Sequence, residues 1–236
     1  LIVNKKDGTN RMVLDYRGLN MVTVKDSFPL PNIRELIDRL SGARWFTALD
    51  VLWGYHNIKI AESSIPKTAF IANDELLEFT RLPFGLCNAP GTFQRMMMTL
   101  LIGLGHISVT SLDDILIFAT SLDKLLNNID VILKRVRSVG LKLKARKCEF
   151  AMQRVVYLGY HLDASGVSPI PSKLEVIQKW PTPTTLKELR GFLGFVNRYF
   201  SFYPHLAIVS AALARATGKR QFEWDAEMQQ SFVNTK

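Results

Sequence analysis

The sequence predicts a fold that mixes short β-strands with α-helices and becomes all-helical from Pro169. Two observations support this prediction. Apolar runs of strand length, such as Val109–Phe118, alternate with stretches whose apolar residues recur at helical spacing. After Pro169, the apolar residues follow helical spacing alone, and Pro181 and Pro183 separate one helical stretch from the next.

The run Val109–Phe118 places two adjacent carboxylates, Asp113 and Asp114, inside an otherwise apolar stretch. Its apolar residues predict two short strands buried on both faces, so the aspartate pair falls at the turn between them. Neighbouring acids at a turn can point to one place, whereas within a strand they would face opposite sides. An Asp-Asp surface turn is the alternative, but two charges beside a core are costly unless a cation or hydrogen bonds compensate them.

Composition limits the classes of protein to which the chain can belong. Its 236 residues can bury a substantial core, as one large domain or as two to three lobes. A membrane span and a signal peptide are not expected, and two cysteines predict a reduced compartment without a zinc site. The net charge of +9 fits a polyanionic partner. Both ends are abrupt, which predicts an excerpt of a longer polypeptide.

The N-terminal stretch Leu1–Tyr16 predicts a β-hairpin, because two strand-like runs flank Asp7-Gly8. Three basic residues, Lys5, Lys6 and Arg11, cluster around that turn. They form either a solvated loop or a clamp for phosphate groups at the tip of the hairpin.

A helix is predicted over residues 31–42, and the stretch after it repeats the pattern of an apolar strand that ends in an acid. In Arg44–Ile60, an aromatic strand leads to Asp50, and a glycine then lets the backbone turn before Tyr55. Asp50 is either a strand-end or helix N-cap residue or a companion of Asp113. Two strand ends from one sheet could bring three carboxylates together.

The later elements follow from loop signals and apolar periodicity. Arg81–Gln94 predicts a loop rich in proline and glycine that opens a helix, whose methionines are expected in the core. Strands are predicted over 155–162, and a capping box at Thr185–Glu188 opens a further helix. A helix over 121–139, ended by Gly140, has the apolar residues Leu122, Leu125, Leu126, Ile129, Ile132, Leu133 and Val136.

These motifs, in their order and spacing, resemble the reverse transcriptases of gypsy-type long-terminal-repeat retrotransposons and, more distantly, those of retroviruses. The resemblance covers nearly the whole chain, and Leu82-Pro-Phe-Gly-Leu with Asn88-Ala-Pro is a highly specific part of it. The other matching stretches are Lys5–Thr9, Arg11–Asn20, Phe28–Pro31, Leu49-Asp50 with Gly54-Tyr-His, Leu112–Phe118, Lys147–Phe150, Leu158-Gly159, Trp180-Pro, Lys187–Arg190, Phe192–Gly194 and Phe222–Trp224.

The resemblance implies an α+β fold, namely a right-hand polymerase with fingers, a palm of mainly antiparallel sheet backed by helices, and a helical thumb. Residues 1–45 and 61–90 would form the fingers, 46–60 and 91–165 the palm, 166–210 the thumb, and 211–236 the start of the connection segment. The implied activity is that of an RNA-directed DNA polymerase, a nucleotidyltransferase.

The resemblance also implies the partners of the chain. They are a primed RNA or DNA template, deoxynucleoside triphosphates, and the rest of a polyprotein with protease, RNase H and integrase regions. No membrane partner is implied. The expected location is inside the cell, in a cytoplasmic particle or in the nucleus.

Individual residues take roles from the same resemblance. Asp50, the Val51 carbonyl, Asp113 and Asp114 would hold two Mg²⁺ ions, or Mn²⁺, and Lys147 would give a proton to pyrophosphate. The substrate-binding residues would be Lys6, Arg11, Tyr55, Phe84, Gly85 and Gln94, and Tyr55 would exclude a 2′-hydroxyl. The primer grip would be Tyr157, Leu158, Gly159 and Tyr160.

The chain departs from the usual family pattern at several positions. Ser111 stands where the family has tyrosine two residues before the aspartate pair, Asn10 where it has tryptophan, and Trp53 where it has serine. Ser111 would loosen the positioning of the attacking oxygen, and small displacements there can lower a rate strongly. A catalytically decayed or repurposed nucleic-acid-binding domain is therefore the alternative function.

Overall fold

Antiparallel strands and α-helices occur together in the computed structural model, which describes residues 2–4, 8, 10–29, 35, 38–218 and 222–236. This mixture confirms the predicted α+β class. The chain divides into two compact units. The first is Leu1–Val155 with Asp163–Gly166, and the second is Val156–Leu162 with Val167–Lys236.

The first unit contains hairpins, a central sheet and helices. Its described strands are β1 (Ile2–Asn4), β2 (Asn10–Met12), β3 (Trp45–Asp50), β4 (Phe70–Ala72), β5 (Glu75–Leu77), β6 (Ser108–Ser111), β7 (Asp114–Ala119) and β8 (Glu149–Met152). Its described helices are α1 (Arg17–Val22), α2 (Ala89–Leu100) and α3 (Leu122–Ser138). The predicted hairpin is confirmed by the pairing of β1 with β2, whereas most of the helix predicted over 31–42 lies outside the described residues.

The central sheet has the strand order β6-β7-β3-β8, and its neighbouring strands are antiparallel. Strands β3 and β7 pair without a shift from Trp45↔Ala119 to Asp50↔Asp114. Side chains alternate between the faces of a strand. Ile115 and Ile117 belong to the core that α2 and α3 cover, so Asp114 and its partner Asp50 lie on the opposite face.

Helices α2 and α3 bury one side of this sheet under an apolar core. Phe93 and Met97 of α2 and Leu125 and Ile132 of α3 are inaccessible to solvent, which confirms the prediction that the methionine helix packs in the core. Strand β7 is buried on both faces as predicted, since Ile115, Leu116 and Ile117 are all 0% exposed.

The predicted apolar side of α3 was wrong at two residues. Leu122 is 38% exposed and Leu126 is 52% exposed, because the helix packs through the narrower stripe of Leu125, Ile132 and Val136. The local end signals were right: the Ser121 side chain accepts a hydrogen bond from the Lys124 amide, and Gly140 has a φ of +72° after the helix.

The second unit joins a small sheet to a group of helices. The sheet has three strands, β9 (Arg154–Tyr157), β10 (Tyr160–Asp163) and β11 (Gly166–Pro169), in the order β11-β10-β9. Most residues of these strands belong to the second unit. The described helices are α4 (Pro171–Gln178), α5 (Leu186–Asn197), α6 (Leu206–Val209), α7 (Ala211–Ala216) and α8 (Ala226–Thr235).

Helix α5 buries one face within the helical group. Its residues Leu189, Phe192, Leu193 and Val196 are buried as predicted, and the Phe192 ring lies 4.8 Å from the ring of Phe232 in α8. The Thr185 hydroxyl accepts a hydrogen bond from the Glu188 amide, as the capping motif predicts. The assignment of fingers, palm, thumb and connection ranges stays a prediction.

Candidate active site

Asp113 lies in the turn between β6 and β7, as predicted, whereas Asp114 is the first residue of β7. Leu112 has a φ of +53°, a left-handed conformation that is costly for a residue with a Cβ. Two hydrogen bonds hold the turn. The Leu112 amide donates to Gln94 Oε1 at 2.8 Å, and the Val51 amide donates to the Asp113 carbonyl at 3.0 Å, which joins the turn to the end of β3.

The register between β3 and β7 sets Asp50 directly opposite Asp114. Both side chains project from the face away from the helices, and Asp113 follows at the turn. A Cβ placed on Gly54 would lie 3.6 Å from Asp113 Oδ2, so this carboxylate sits beside the backbone that leaves β3. Three acids from two strand ends are therefore neighbours, as the sequence predicted.

The charges of these acids act on one another. Asp114 retains access to solvent, yet the protein around it removes enough water to raise the pKa of its carboxyl group to about 6, and the charges of Asp113 and Asp50 add to the effect. Lys147 opposes the rise. Its Nζ lies 3.2 Å from Asp50 Oδ2 in an ion pair that is partly open to water.

A cavity of about 530 Å³ adjoins the carboxylates. Asp50, Asp113, Lys144 and Lys147 all line it, so acids and cations face the same space. The remaining lining residues are Met12, Leu14, Val51, Leu52, Trp53, Gly54, His56, Phe79, Pro83 and Phe84. A space of this size, with charged groups on an otherwise largely apolar wall, suits a small anionic ligand.

The acids fit a magnesium site that the substrate completes. In the described part of the chain, no three histidine, cysteine or acidic residues are arranged to hold a metal ion by themselves. However, Mg²⁺ is usually bound by one or two carboxylates together with substrate phosphates and water. Removal of water by the surrounding protein is the main cause of the raised pKa of Asp114, and the charges of Asp113 and Asp50 add to it, so a bound divalent cation would stabilise the ionised carboxylates.

Tyr55 packs against Phe84, which was predicted to shape the nucleotide pocket, and against the core residue Phe93. The Tyr55 ring lies 5.0 Å from the ring of Phe84 and 5.6 Å from that of Phe93. Burial, and then the charge of Asp113, raise the pKa of Tyr55, so the phenol lies within the field of the acids. Gly85 has a φ of +100°, and a Cβ there would approach the Leu14 carbonyl at 3.3 Å, which explains the glycine.

Several predicted site residues lie elsewhere or are not described. Lys6 is outside the described residues, and only the backbone of Arg11, within β2, is described. Gln94 is fully buried, so it supports the aspartate turn and does not reach the cavity. The predicted primer-grip residues, Tyr157–Tyr160, belong to the second unit.

That predicted primer-grip segment is itself a tight turn with a defined support. Leu158 and Gly159 both have positive φ, +51° and +84°, while Tyr157 and Tyr160 are buried. Arg198 donates to the Leu158 carbonyl at 2.5 Å, and the Tyr160 hydroxyl donates to the Arg198 carbonyl at 2.9 Å. These two bonds fix the turn to the chain just after α5.

Some residues that position the first-unit site were missed by the sequence reasoning. Asn20 donates to the Gly85 carbonyl and accepts from the Cys87 amide, both at 2.8 Å. Asn88 donates to the Val24 carbonyl at 2.9 Å and accepts from the Asp26 amide at 3.0 Å. Both asparagines stand within matching motifs, which is the signal that could have identified them.

The match to a family profile decides which family these residues belong to. The profile described as "Reverse transcriptase (RNA-dependent DNA polymerase)" matches residues 3–162, which include the three acids, the cavity and the Tyr157–Tyr160 turn. The chain belongs to the reverse transcriptase family.

Relatives of this reverse transcriptase chain are retrotransposon polyproteins. It is 40% identical over 211 residues to the retrovirus-related Pol polyprotein from transposon 297 of Drosophila melanogaster, covering 89% of the chain and 20% of that protein. It is 32% identical over 239 residues to the transposon Tf2-3 polyprotein of Schizosaccharomyces pombe, covering 100% of the chain and 18% of that protein. The chain thus spans about a fifth of the length of these curated relatives.

Solved structures confirm the polymerase fold of this reverse transcriptase chain. The dRH form of the foamy viral protease-reverse transcriptase in complex with double-stranded DNA matches with a TM-score of 0.90 and 24% identity, over 99% of this chain and 42% of that one. The foamy viral protein in complex with an RNA/DNA hybrid matches with a TM-score of 0.83 and 24% identity, over 99% and 32%. No helix among the described residues has the length and apolar character to cross a membrane.

Proposed function

We propose that this chain is an RNA-directed DNA polymerase domain that extends a primer by nucleotidyl transfer. The observation that carries the proposal is the register Asp50↔Asp114, which places two acids opposite each other beside the Asp113 turn. Acids from two strand ends at one wall of a 530 Å³ cavity suit a reaction in which phosphate charge must be neutralised.

In the proposed reaction, the oxygen of the primer 3′-hydroxyl attacks the α-phosphorus of a deoxynucleoside triphosphate. The bond from that phosphorus to the oxygen that bridges it to the β-phosphorus breaks, the hydroxyl proton passes to solvent, and pyrophosphate leaves. Two Mg²⁺ ions, or Mn²⁺, would when bound supply positive charge for the attacking and leaving oxygens. Asp50, the Val51 carbonyl, Asp113 and Asp114 are the proposed ligands, and Gln94 holds their turn in place.

Two further residues act on the substrate in this proposal. Lys147 protonates the leaving pyrophosphate, and its position on the cavity wall, 3.2 Å from Asp50 Oδ2, supports the role. Tyr55 excludes a 2′-hydroxyl from the sugar position. Its contact with the cavity residue Phe84 and the effect of Asp113 on its pKa support a place beside the reacting groups.

The proposal extends to the other partners that the family resemblance implies. Lys6 and Arg11 hold the triphosphate, and Phe84 and Gly85 shape the pocket. Tyr157–Tyr160 hold the primer on a primed RNA or DNA template. The chain acts within a longer polyprotein that adds protease, RNase H and integrase regions, without a membrane partner. Its place of action is inside the cell, in a cytoplasmic particle or in the nucleus.

Primer extension on an RNA template with Mg²⁺ or Mn²⁺ tests the proposal. We expect Asp113→Asn to lower the rate by about a thousandfold or more, since it removes a charge that faces the developing phosphate charge. Asp74→Asn is the matched control, because Asp74 lies in the β4–β5 turn with a φ of +62° that asparagine adopts readily. Equal extension by the Asp113→Asn and Asp74→Asn variants would refute the assignment.

A nucleic-acid-binding domain without catalysis is the second candidate function. Trp53 favours it, since this bulky residue is held at a φ of +59° on the wall of the catalytic cavity. Ser111 also favours it, because it stands where the family has tyrosine and lies directly opposite Asp114. This function predicts binding to primer–template that weakens steeply with salt, together with no extension by the unaltered protein.

A further inference from the structure

A second cavity, larger than the catalytic one, has no part in the proposed reaction. Its volume is about 1240 Å³, and it lies in the first unit among the residues after β3, the segment before the Pro83 loop, helix α2 and the end of α3. The lining residues are Trp53, His56, Asn57, Glu78, Phe79, Thr80, Arg81, Thr92, Arg95, Met96, Thr99, Leu100, Arg135, Val139, Gly140, Leu141 and Lys142.

The charged residues of this wall are mostly basic. Arg81, Arg95, Arg135 and Lys142 line it against the single acid Glu78. Arg95 is neutralised by Asp26, 2.7 Å away. The other three cations have no ion-pair partner in the described part of the chain, so the wall keeps an excess of positive charge that a phosphate group would balance.

Two of these cations are fixed in place by backbone contacts. Arg81 Nη1 donates to the Asn57 carbonyl at 3.1 Å, and Arg135 Nη1 donates to the Leu100 carbonyl at 2.9 Å. Each guanidinium has five N–H donors. A single internal bond therefore orients the group and leaves several donors for a ligand.

Flat rings stand on the side of the cavity that adjoins the catalytic space. Trp53 is 69% exposed although it is a large apolar residue, and its left-handed backbone conformation is one that a bulky side chain rarely adopts. His56 and Phe79 are stacked, with an interplanar angle of 11°. These aromatic residues offer a surface for a flat ring, and they line both cavities.

We propose that this second cavity binds a free nucleoside phosphate, with the base against the aromatic side and the phosphates toward Arg81, Arg135 and Lys142. Three cations of the wall are available to neutralise the phosphates, so we expect binding without a divalent metal. The volume suffices for a nucleotide. The inference does not depend on polymerase activity, because binding is measured without metal, primer or turnover.

Isothermal titration with ATP in the presence of EDTA tests the proposal. Lys142 lines only the second cavity and Lys144 only the catalytic one, so these neighbouring lysines form a matched pair. We expect Lys142→Glu to weaken ATP binding by about tenfold or more and Lys144→Glu to change it by less than about twofold. Absence of ATP binding in EDTA, or an equal loss in the two variants, would overturn the site.

Four further measurements test the chemistry of the occupant. Inorganic tripolyphosphate should bind at least about tenfold more weakly than ATP, because it lacks the ring. Quenching of tryptophan fluorescence by ATP should disappear in Trp53→Phe. Asp50→Asn should leave ATP binding unchanged. Four outcomes would each contradict the proposal. They are tripolyphosphate binding as tight as that of ATP, quenching by ATP that persists in Trp53→Phe, loss of ATP binding in Asp50→Asn, and binding of a single-stranded oligonucleotide but not of ATP.

Discussion

Two tight turns of the chain are built alike but are supported by different chemistry. The turn that carries Asp113 and the turn at Leu158-Gly159 each connect two consecutive antiparallel strands, and each holds a leucine at positive φ. Each also hydrogen-bonds to a side chain distant in sequence: Gln94 accepts from the Leu112 amide, and Arg198 donates to the Leu158 carbonyl.

The supports differ in charge and in exposure. Gln94 is completely buried and neutral, whereas Arg198 is a cation exposed to solvent. A cation at the first turn would neutralise Asp113 and compete with the metal ions proposed there. An amide oxygen fixes the same backbone without adding charge, while the second turn carries no acid and can accept a guanidinium. A neutral side chain thus supports the turn that carries Asp113, and a cation supports the turn that carries no acid.

Replacing the neutral support, Gln94, should have the largest effect on the primer-extension rate. We expect Gln94→Leu to lower the primer-extension rate by about a hundredfold, because the Asp113 turn loses its tether and small displacements of reacting groups cost rate. Stability should change by less than about 1 kcal/mol, since the lost bond is offset by removal of the buried Gln94 Nε2, which has no hydrogen-bond partner among the described residues. Single-turnover kinetics and urea unfolding measure both quantities.

The matched change at this position is Gln94→Glu, which keeps an acceptor for the Leu112 amide. It also buries a carboxyl group beside the turn that carries Asp113, so its extension rate should fall more at high pH than at low pH. If Gln94→Leu retained the full extension rate, Gln94 would not be a positioning residue for the aspartate turn.

Removing the charged support, Arg198, should have a smaller effect, which falls on KM and not on kcat. Arg198→Ala breaks the bond to the Leu158 carbonyl on the surface of the second unit, and we expect KM for primer–template to rise about threefold to tenfold with little change in kcat. Arg198→Lys, which keeps a donor, should recover part of the loss. A fall in kcat as large as that of Gln94→Leu would break the comparison.

The smallest expected effect is a pH dependence of the free energy of unfolding. Of the two turns, only the one that carries Asp113 should produce it. The pKa of Asp114 is raised from 3.8 to about 6 on folding. The folded chain therefore keeps this proton more firmly than the unfolded chain does. Without metal, the free energy of unfolding should decrease as pH rises through the window from about 4 to about 6 and stay lower above it.

Asp114→Asn should remove this part of the pH dependence, and Arg198→Ala should leave it unchanged. The measurement is urea unfolding of the three proteins in EDTA at several pH values across the window. A parallel pH profile for Asp114→Asn and the unaltered protein would contradict the raised pKa of Asp114.

Local patterns in the sequence were sufficient for several features. The aspartate pair was predicted at a turn because apolar runs flank it, and the Thr185 cap was predicted from its own four residues. The exposure of Leu126 was missed, because periodicity marks an apolar side but does not say how wide a stripe the sheet covers.

The supports of the site could not be predicted because they join distant parts of the chain. Asn20 reaches Gly85 across 65 residues, and Lys147 reaches Asp50 across 97. Gln94 was assigned to the nucleotide pocket on the basis of the family motif, yet its side chain points to Leu112. A motif reveals which residues belong to a site, whereas packing decides which of them touch the ligand.

The pairing of β3 with β7 also restricts where the chain can change in length. One residue added to or removed from β3 would turn Asp50 toward Phe93 and Met97, and would bring Leu49 to the cavity. Burial of the charged Asp50 in the apolar core is costly, so the protein would lose its fold together with its site. Insertions and deletions within the family are therefore expected at exposed tips such as Asn73-Asp74, and not in these two strands.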